Sequence, residues 1–114
     1  MNSIKPLLPS LKEKRRYLVY QAITETPTTL EETRQAIQEE TQTFLGKLGA
    51  AKAGLVFLDD WHDQKGILRI ATPAVDQIKT ALFMIRKINK KEAILTTKGV
   101  SGTLNQARNK FIVH

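Results

Sequence analysis

The chain has 114 residues, no cysteine, two histidines and a formal net charge of +7. Its length suits one domain that buries a core without covalent staples. The missing thiols exclude disulfides, cysteine-ligated zinc, iron–sulfur clusters and thiol nucleophiles.

Residues 1–27 carry +3, residues 28–64 carry −4 and residues 65–114 carry +8. This segregation favours a polyanionic partner over a merely solvated basic surface. No stretch approaches the roughly 18 apolar residues of a membrane span. The N-terminal residues also lack the apolar run of a signal peptide. A soluble cytoplasmic protein with no membrane contact is expected.

MNSIKPLLPSL, residues 1–11, holds two of the four prolines and reads as an extended lead-in. In KEKRRYLVYQAITE both alternating sets are largely apolar, so a first strand over about 15–25 should be central and covered on both faces. Pro27 breaks it. Thr28–Thr29 can cap a helix whose first turn holds Glu31 and Glu32. Leu30, Thr33, Ile37, Thr41, Phe44 and Leu48 recur at helical spacing, predicting a helix over about 29–48 that ends at Gly49.

AAKAGLVFLDD reads as the second strand, DDWHDQKG as a hairpin loop and GILRIAT as the third strand. Pro73 can open a second helix with Val75, Ile78, Leu82, Ile85 and Ile88 buried, ended by Asn89 and the Lys90–Lys91 pair. EAILTTKG is a fourth strand. SGTLNQARNKFIV is a final helix with Leu104, Ala107 and Phe111 on one side.

The resulting order predicts one α+β domain over 1–114, a ferredoxin-like, RNA-recognition-like βαββαβ sandwich. It would have an antiparallel four-stranded sheet and an extra C-terminal helix. Helices should cover one sheet face. The other face needs the final helix or a partner. Strands one and four are taken not to be direct neighbours, with their basic ends converging along one edge as an open question.

Conventional catalytic sets are hard to build from these residues. His114 is terminal, and His62 sits in DDWHD among Asp59, Asp60 and Asp63. That loop offers oxygen ligands but lacks calcium-loop spacing, so it reads as a solvated hairpin with no metal. Acylphosphatases share the topology, but TETPTT offers no early phosphate-cradling loop. Base stacking on the sheet is disfavoured because KGILRIAT contains no aromatic. Trp61 at the loop tip can anchor a protein, stack on a base or fold back onto the domain edge. Phe83, among Lys79, Arg86 and Lys87, suggests a protein contact or an ordinary exposed ring. Both are assigned to a protein partner.

The TTKGVSGTLNQARNKF segment carries the most specific pattern. Gly99 and Gly102 allow a backbone path that side chains would obstruct, and Ser101 is a plausible N-cap. Amides beyond it can receive a phosphate oxygen, reinforced by Lys98, Arg108 and Lys110. The alternative is a capped helix docked through Leu104, Ala107 and Phe111 with solvated charges. Lys12, Lys14, Arg15 and Arg16 form a second basic group at the start of strand one.

LPSLKEKRRYLVYQAI, GAAKAGLVF, KGILRIA and TTKGVSGTLNQARNKF, in this order, resemble the ribonuclease P protein component 2 family. The resemblance covers most of the chain, and the compact length looks archaeal. It implies a subunit that is not itself catalytic, assisting an RNA that removes the 5′ leader of precursor tRNA with magnesium held chiefly by RNA. No cofactor is then expected on the protein. The implied partners are ribonuclease P RNA, precursor tRNA, a larger barrel-shaped protein subunit and other protein subunits. A homodimer within a heterotetramer is one expected assembly. Asn105 and Gln106 stand where family members often carry basic residues. RNA contact therefore falls to Lys12, Lys14, Arg15, Arg16, Lys98, Gly99, Ser101, Gly102, Arg108 and Lys110. The rival functions are a protein–protein adaptor and a small-ligand regulatory domain.

Overall fold

A computed structural model describes residues 14–112. The extended lead-in 1–11, Lys12 and His114 lie outside the described residues. Strand β1, Arg15–Thr24, is central as its two apolar faces require: Leu18, Val19 and Tyr20 are completely buried. Thr29 caps helix α1, Leu30–Ala53, through a capping box in which its hydroxyl accepts from the Glu32 amide and the Glu32 carboxylate accepts from the Thr29 amide.

Helix α1 runs past the expected end at Gly49. Gly46 breaks it with φ 76° and ψ 172°, and Gly54, at φ 60°, closes it. AAKA therefore belongs to the helix, and strand β2 begins later, as Val56–His62. The buried stripe includes Thr33, Ile37 and Thr41 but passes to Leu45, leaving Phe44 and Leu48 exposed around the break.

β2 and β3, Lys65–Ala71, form the expected hairpin, but with a turn of two residues. Asp63 and Gln64 both take positive φ, 55° and 58°, the geometry that matches the twist of paired strands. Asp59 and Asp60, shared by the expected strand and the expected loop, lie on the strand, and so do Trp61 and His62, contrary to their loop assignment. Gln64 fixes the neighbouring loop: its Nε2 donates to Ala22 O at 2.7 Å and its Oε1 accepts from Thr28 N at 2.6 Å.

Pro73 lies in a 3₁₀ turn, Thr72–Ala74, that leads into helix α2, Val75–Met84. Ile85 is already extended, so the expected helical run to Ile88 is wrong. Ile88 belongs to a short strand β4, Lys87–Ile88, joined to β5, Lys91–Ser101, through Asn89 and Lys90 at φ 51° and 68°. The fold is α+β with five antiparallel strands in the order β2-β3-β1-β5-β4, not four. β1 and β5 pair directly, which corrects the expectation that strand one and the last long strand are apart.

One sheet face packs Leu18, Tyr20, Leu68, Ile70 and Leu95 against Ile37 of α1 and Ile78 and Leu82 of α2. Each such buried aliphatic side chain contributes about 1.5–3 kcal/mol. The other face packs Val19 and Ile67 against Ala107 and Ile112 of the C-terminal segment, joined by Tyr17, Leu58, Leu104 and Phe111. That segment is one α-helical turn, α3, Leu104–Ala107, widening into a π-turn, Arg108–Ile112. Among the described residues, no helix is long and apolar enough to cross a membrane.

Candidate nucleic-acid interface

Antiparallel pairing brings the start of β1 beside the end of β5. Tyr17 stands opposite Ser101 and Val19 opposite Gly99. On its other side Arg15 faces Ala71 and Arg16 faces Ile70. The backbone carbonyl of Lys14 accepts from Thr72 N at 3.0 Å and Thr72 Oγ1 at 2.8 Å, anchoring the chain where it enters the sheet. Lys14 and Arg15 are exposed and Arg16 is half-buried. Strands far apart in sequence thus place their basic segments at one end of the sheet. Lys98 is the extra residue of a β-bulge, since Gly99 pairs with Val19 and Thr97 with Tyr20. Its exposed side chain is re-aimed by that irregularity.

The glycine-rich turn is not the expected cradle. The N-cap is Thr103, whose hydroxyl accepts from Gln106 N at 3.2 Å, whereas Ser101 is the buried last residue of β5. Neither Gly99 nor Gly102 adopts positive φ. A Cβ on Gly99 would overlap the Phe111 ring, so this glycine makes room for the C-terminal segment to pack. A Cβ on Gly102 would meet open space.

That segment is held by polar contacts as well as apolar ones. Arg108 Nε donates to Asp60 Oδ2 at 2.8 Å and Nη2 donates to Oδ1 at 3.1 Å. The Asp60 hydrogen bond raises the Arg108 pKa further, so the pair stays ionised. Lys65, buried beneath, donates from Nζ to Phe111 O at 3.0 Å. Arg108 is therefore a latch onto β2, while Lys110 is exposed on the π-turn.

Arg69 is a cation that the sequence reading passed over. It faces Tyr17 on β1 and Val56 on β2, in the same cross-strand row as Ser101. Its Nε is buried without a hydrogen-bond partner. The signal was the arginine of KGILRIA, set on the face covered by the final segment.

Trp61 is not at a loop tip. It lies 6.3 Å from the fully buried Tyr20 ring, tilted by 49°, as part of the main core. Burial pushes the Tyr20 phenol well above its usual range, partly offset by Arg34. Phe83 is 70% exposed, with the Arg86 guanidinium 5.5 Å above its ring. Among the described residues, no group of three or more His, Asp or Glu side chains is placed to hold a metal ion.

A model of the Rpp14/Pop5 family matches residues 16–112. The chain belongs to that family. Ribonuclease P protein component 2 of Thermococcus gammatolerans is 40% identical over 109 residues, covering 95% of this chain and 91% of the relative. The protein of the same name from Thermococcus kodakarensis is 38% identical over 109 residues, with coverages of 95% and 91%. The archaeal resemblance of the sequence is borne out. A chain in the cryo-EM structure of yeast ribonuclease MRP superposes with a TM-score of 0.65, covering 80% of this chain and 76% of that one. At 10% identity this likeness shows that the Rpp14/Pop5 chain shares its fold.

Proposed function

We propose that this chain is a protein subunit of ribonuclease P that supports the catalytic RNA in removing the 5′ leader of precursor tRNA. Membership of the Rpp14/Pop5 family carries this reading. The convergence of two basic segments at one sheet end supports it on physical grounds. Lys14, Arg15 and Arg16 of β1, Lys98 at the bulge and Lys110 on the π-turn neutralise phosphates, joined by Lys12. Arg69 adds charge beneath them. Gly99 makes room for the segment that carries Lys110, and Ser101 and Gly102 join that segment to β5. Arg108 contributes only through the part of its guanidinium that Asp60 leaves open.

Such contacts position RNA without reading its sequence. The chain supplies no general acid, base or nucleophile. RNA holds the magnesium and breaks the phosphodiester. Other protein subunits, a larger barrel-shaped one among them, complete the particle in the cytoplasm, with a homodimer inside a heterotetramer as its assembly. Trp61 offers a partner only what its packing leaves exposed, so Phe83 is the stronger protein contact.

Reconstitution tests this. Precursor-tRNA cleavage by the cognate RNA and remaining subunits should rise when the purified chain is added. Equal activity without it, or cleavage by the isolated polypeptide, would overturn the proposal.

A further inference from the structure

The molecule has a second charged feature, at the opposite end of β1 from Arg15 and Arg16. A groove of about 490 Å³ runs between α1 and the β4–β5 hairpin. One wall carries Glu32, Glu39 and Glu40, and the other Arg86, Lys87 and Lys90. Its lining includes the apolar Ala36 and Ile85. Among the described residues no ion pair crosses it, although the two walls carry opposite charge.

Its geometry is fixed rather than incidental. Asn89 Nδ2 donates to Glu32 Oε2 at 2.7 Å, tying the hairpin turn to the first turn of α1. Arg86 Nη1 donates to Phe83 O at 2.6 Å, and its guanidinium lies over the Phe83 ring, so the basic wall and that exposed ring are held together.

We infer that this groove docks a polypeptide segment of a protein partner, one that presents a basic side chain to Glu39 and Glu40 and an acidic one to Arg86 and Lys87. Complementary charge identifies the occupant. A nucleic acid would satisfy the basic wall and meet Glu39 and Glu40 across the gap, where like charge repels it. A polypeptide satisfies both walls, can rest apolar side chains on Ala36 and Ile85, and gives Phe83 a contact. A segment bound here leaves the basic end of the sheet free. The inference rests on the reading of the chain as a subunit of a multi-protein particle and deepens it by naming the face that meets protein.

The test uses the full chain, each of the other purified protein subunits of the cognate particle in turn, and calorimetry without RNA. Glu39→Gln/Glu40→Gln and Arg86→Gln/Lys87→Gln should each weaken association with one subunit at least about tenfold. Neither should change the salt slope of binding to ribonuclease P RNA. Because Glu39, Arg86 and Lys87 are exposed, thermal midpoints should stay near wild type and certify folding. Three results overturn the inference: no subunit binds the wild-type chain, neither variant weakens association, or Arg86→Gln/Lys87→Gln flattens the RNA slope while protein association is unchanged. Failure of the RNA reading appears elsewhere, as a particle equally active without the chain.

Discussion

Gly99→Ala separates a packing glycine from a phosphate cradle. The new methyl group would enter the space of the Phe111 ring, which packs with Val19, Ile67, Ala107 and Ile112. The ring must shift or the bulge must open. Overpacking of this kind costs about 1–3 kcal/mol. The full cost of deleting a buried phenylalanine, about 3–5 kcal/mol, is not reached because Phe111 is only half-buried. In urea, with a slope of about 1–3 kcal/mol/M, the midpoint should fall by about 1 M without a change of slope. Gly102→Ala is the internal control. No atom lies within 4 Å of its Cβ position and its φ is not positive. It should be neutral, or stabilise by about 0.4–1 kcal/mol through the unfolded chain. Its RNA affinity should match wild type. If instead Gly99→Ala stays within about 0.5 kcal/mol of wild type, or both alanines weaken RNA binding equally, the packing account is wrong and the cradle returns.

Three further outcomes are expected. Lys98→Ala/Lys110→Ala should flatten the log–log salt slope of RNA binding by about 1.5 units, whereas Arg108→Ala, already compensated by Asp60, should change it by less than about 0.5. The Glu32 pKa is lowered by hydrogen bonds from the Thr28 hydroxyl, then the Thr29 amide, so its stabilisation is present above the ordinary glutamate value and lost as pH falls through the lower folded one. Thermal scans from about pH 6 to 3 should therefore show a shallower acid-side decline for Glu32→Gln than for wild type. Lys90→Gly should raise stability by about 0.5–1 kcal/mol by relieving positive φ. Gln64→Gly, at a similar φ, should lower it by about 1–3 kcal/mol because Thr28 N and Ala22 O lose their partner. Chemical denaturation reads both.

Local physics was legible in the sequence where one interaction dominated. Two apolar faces predicted the central position of β1, the Thr28–Thr29 pair followed by Glu31 and Glu32 marked the start of α1, and Leu104, Ala107 and Phe111 marked the docked side of the last segment. Elsewhere signals competed. Gly46, Gly49 and Gly54 offered three places to interrupt α1, and only tertiary packing selects a break at the first and a cap at the last. β4 was hidden because Ile85 and Ile88 mimic helical spacing, and because both two-residue turns take positive φ without glycine. The clasp of Asp60 on Arg108 was invisible, since it needs the bulged edge strand and the C-terminal turn in place together. Ser101 was misread as a cap because Thr103 offers the same hydroxyl two residues later, beyond a strand longer than expected.

The direct pairing of β1 with β5 decides how the proposed RNA contact behaves. Adjacent strands lie about 5 Å apart, well inside the Debye length of about 8 Å at physiological salt. Cations at the start of β1 and the end of β5 therefore act on a phosphate run as one field. Had a strand intervened, the backbones would stand about 10 Å apart, beyond one Debye length, and the coupling between the two groups would be a few-fold weaker. Within a shared field, removing one lysine deletes one counterion-releasing contact but leaves most of the potential. Loss of RNA affinity should be graded across Lys14, Arg15, Arg16, Lys98 and Lys110, without a single residue on which binding depends. Asp60 enters the same balance from the edge strand. By holding Arg108 against β2, it fixes the segment that carries Lys110 and engages one cation that the proposed RNA contact would otherwise draw on.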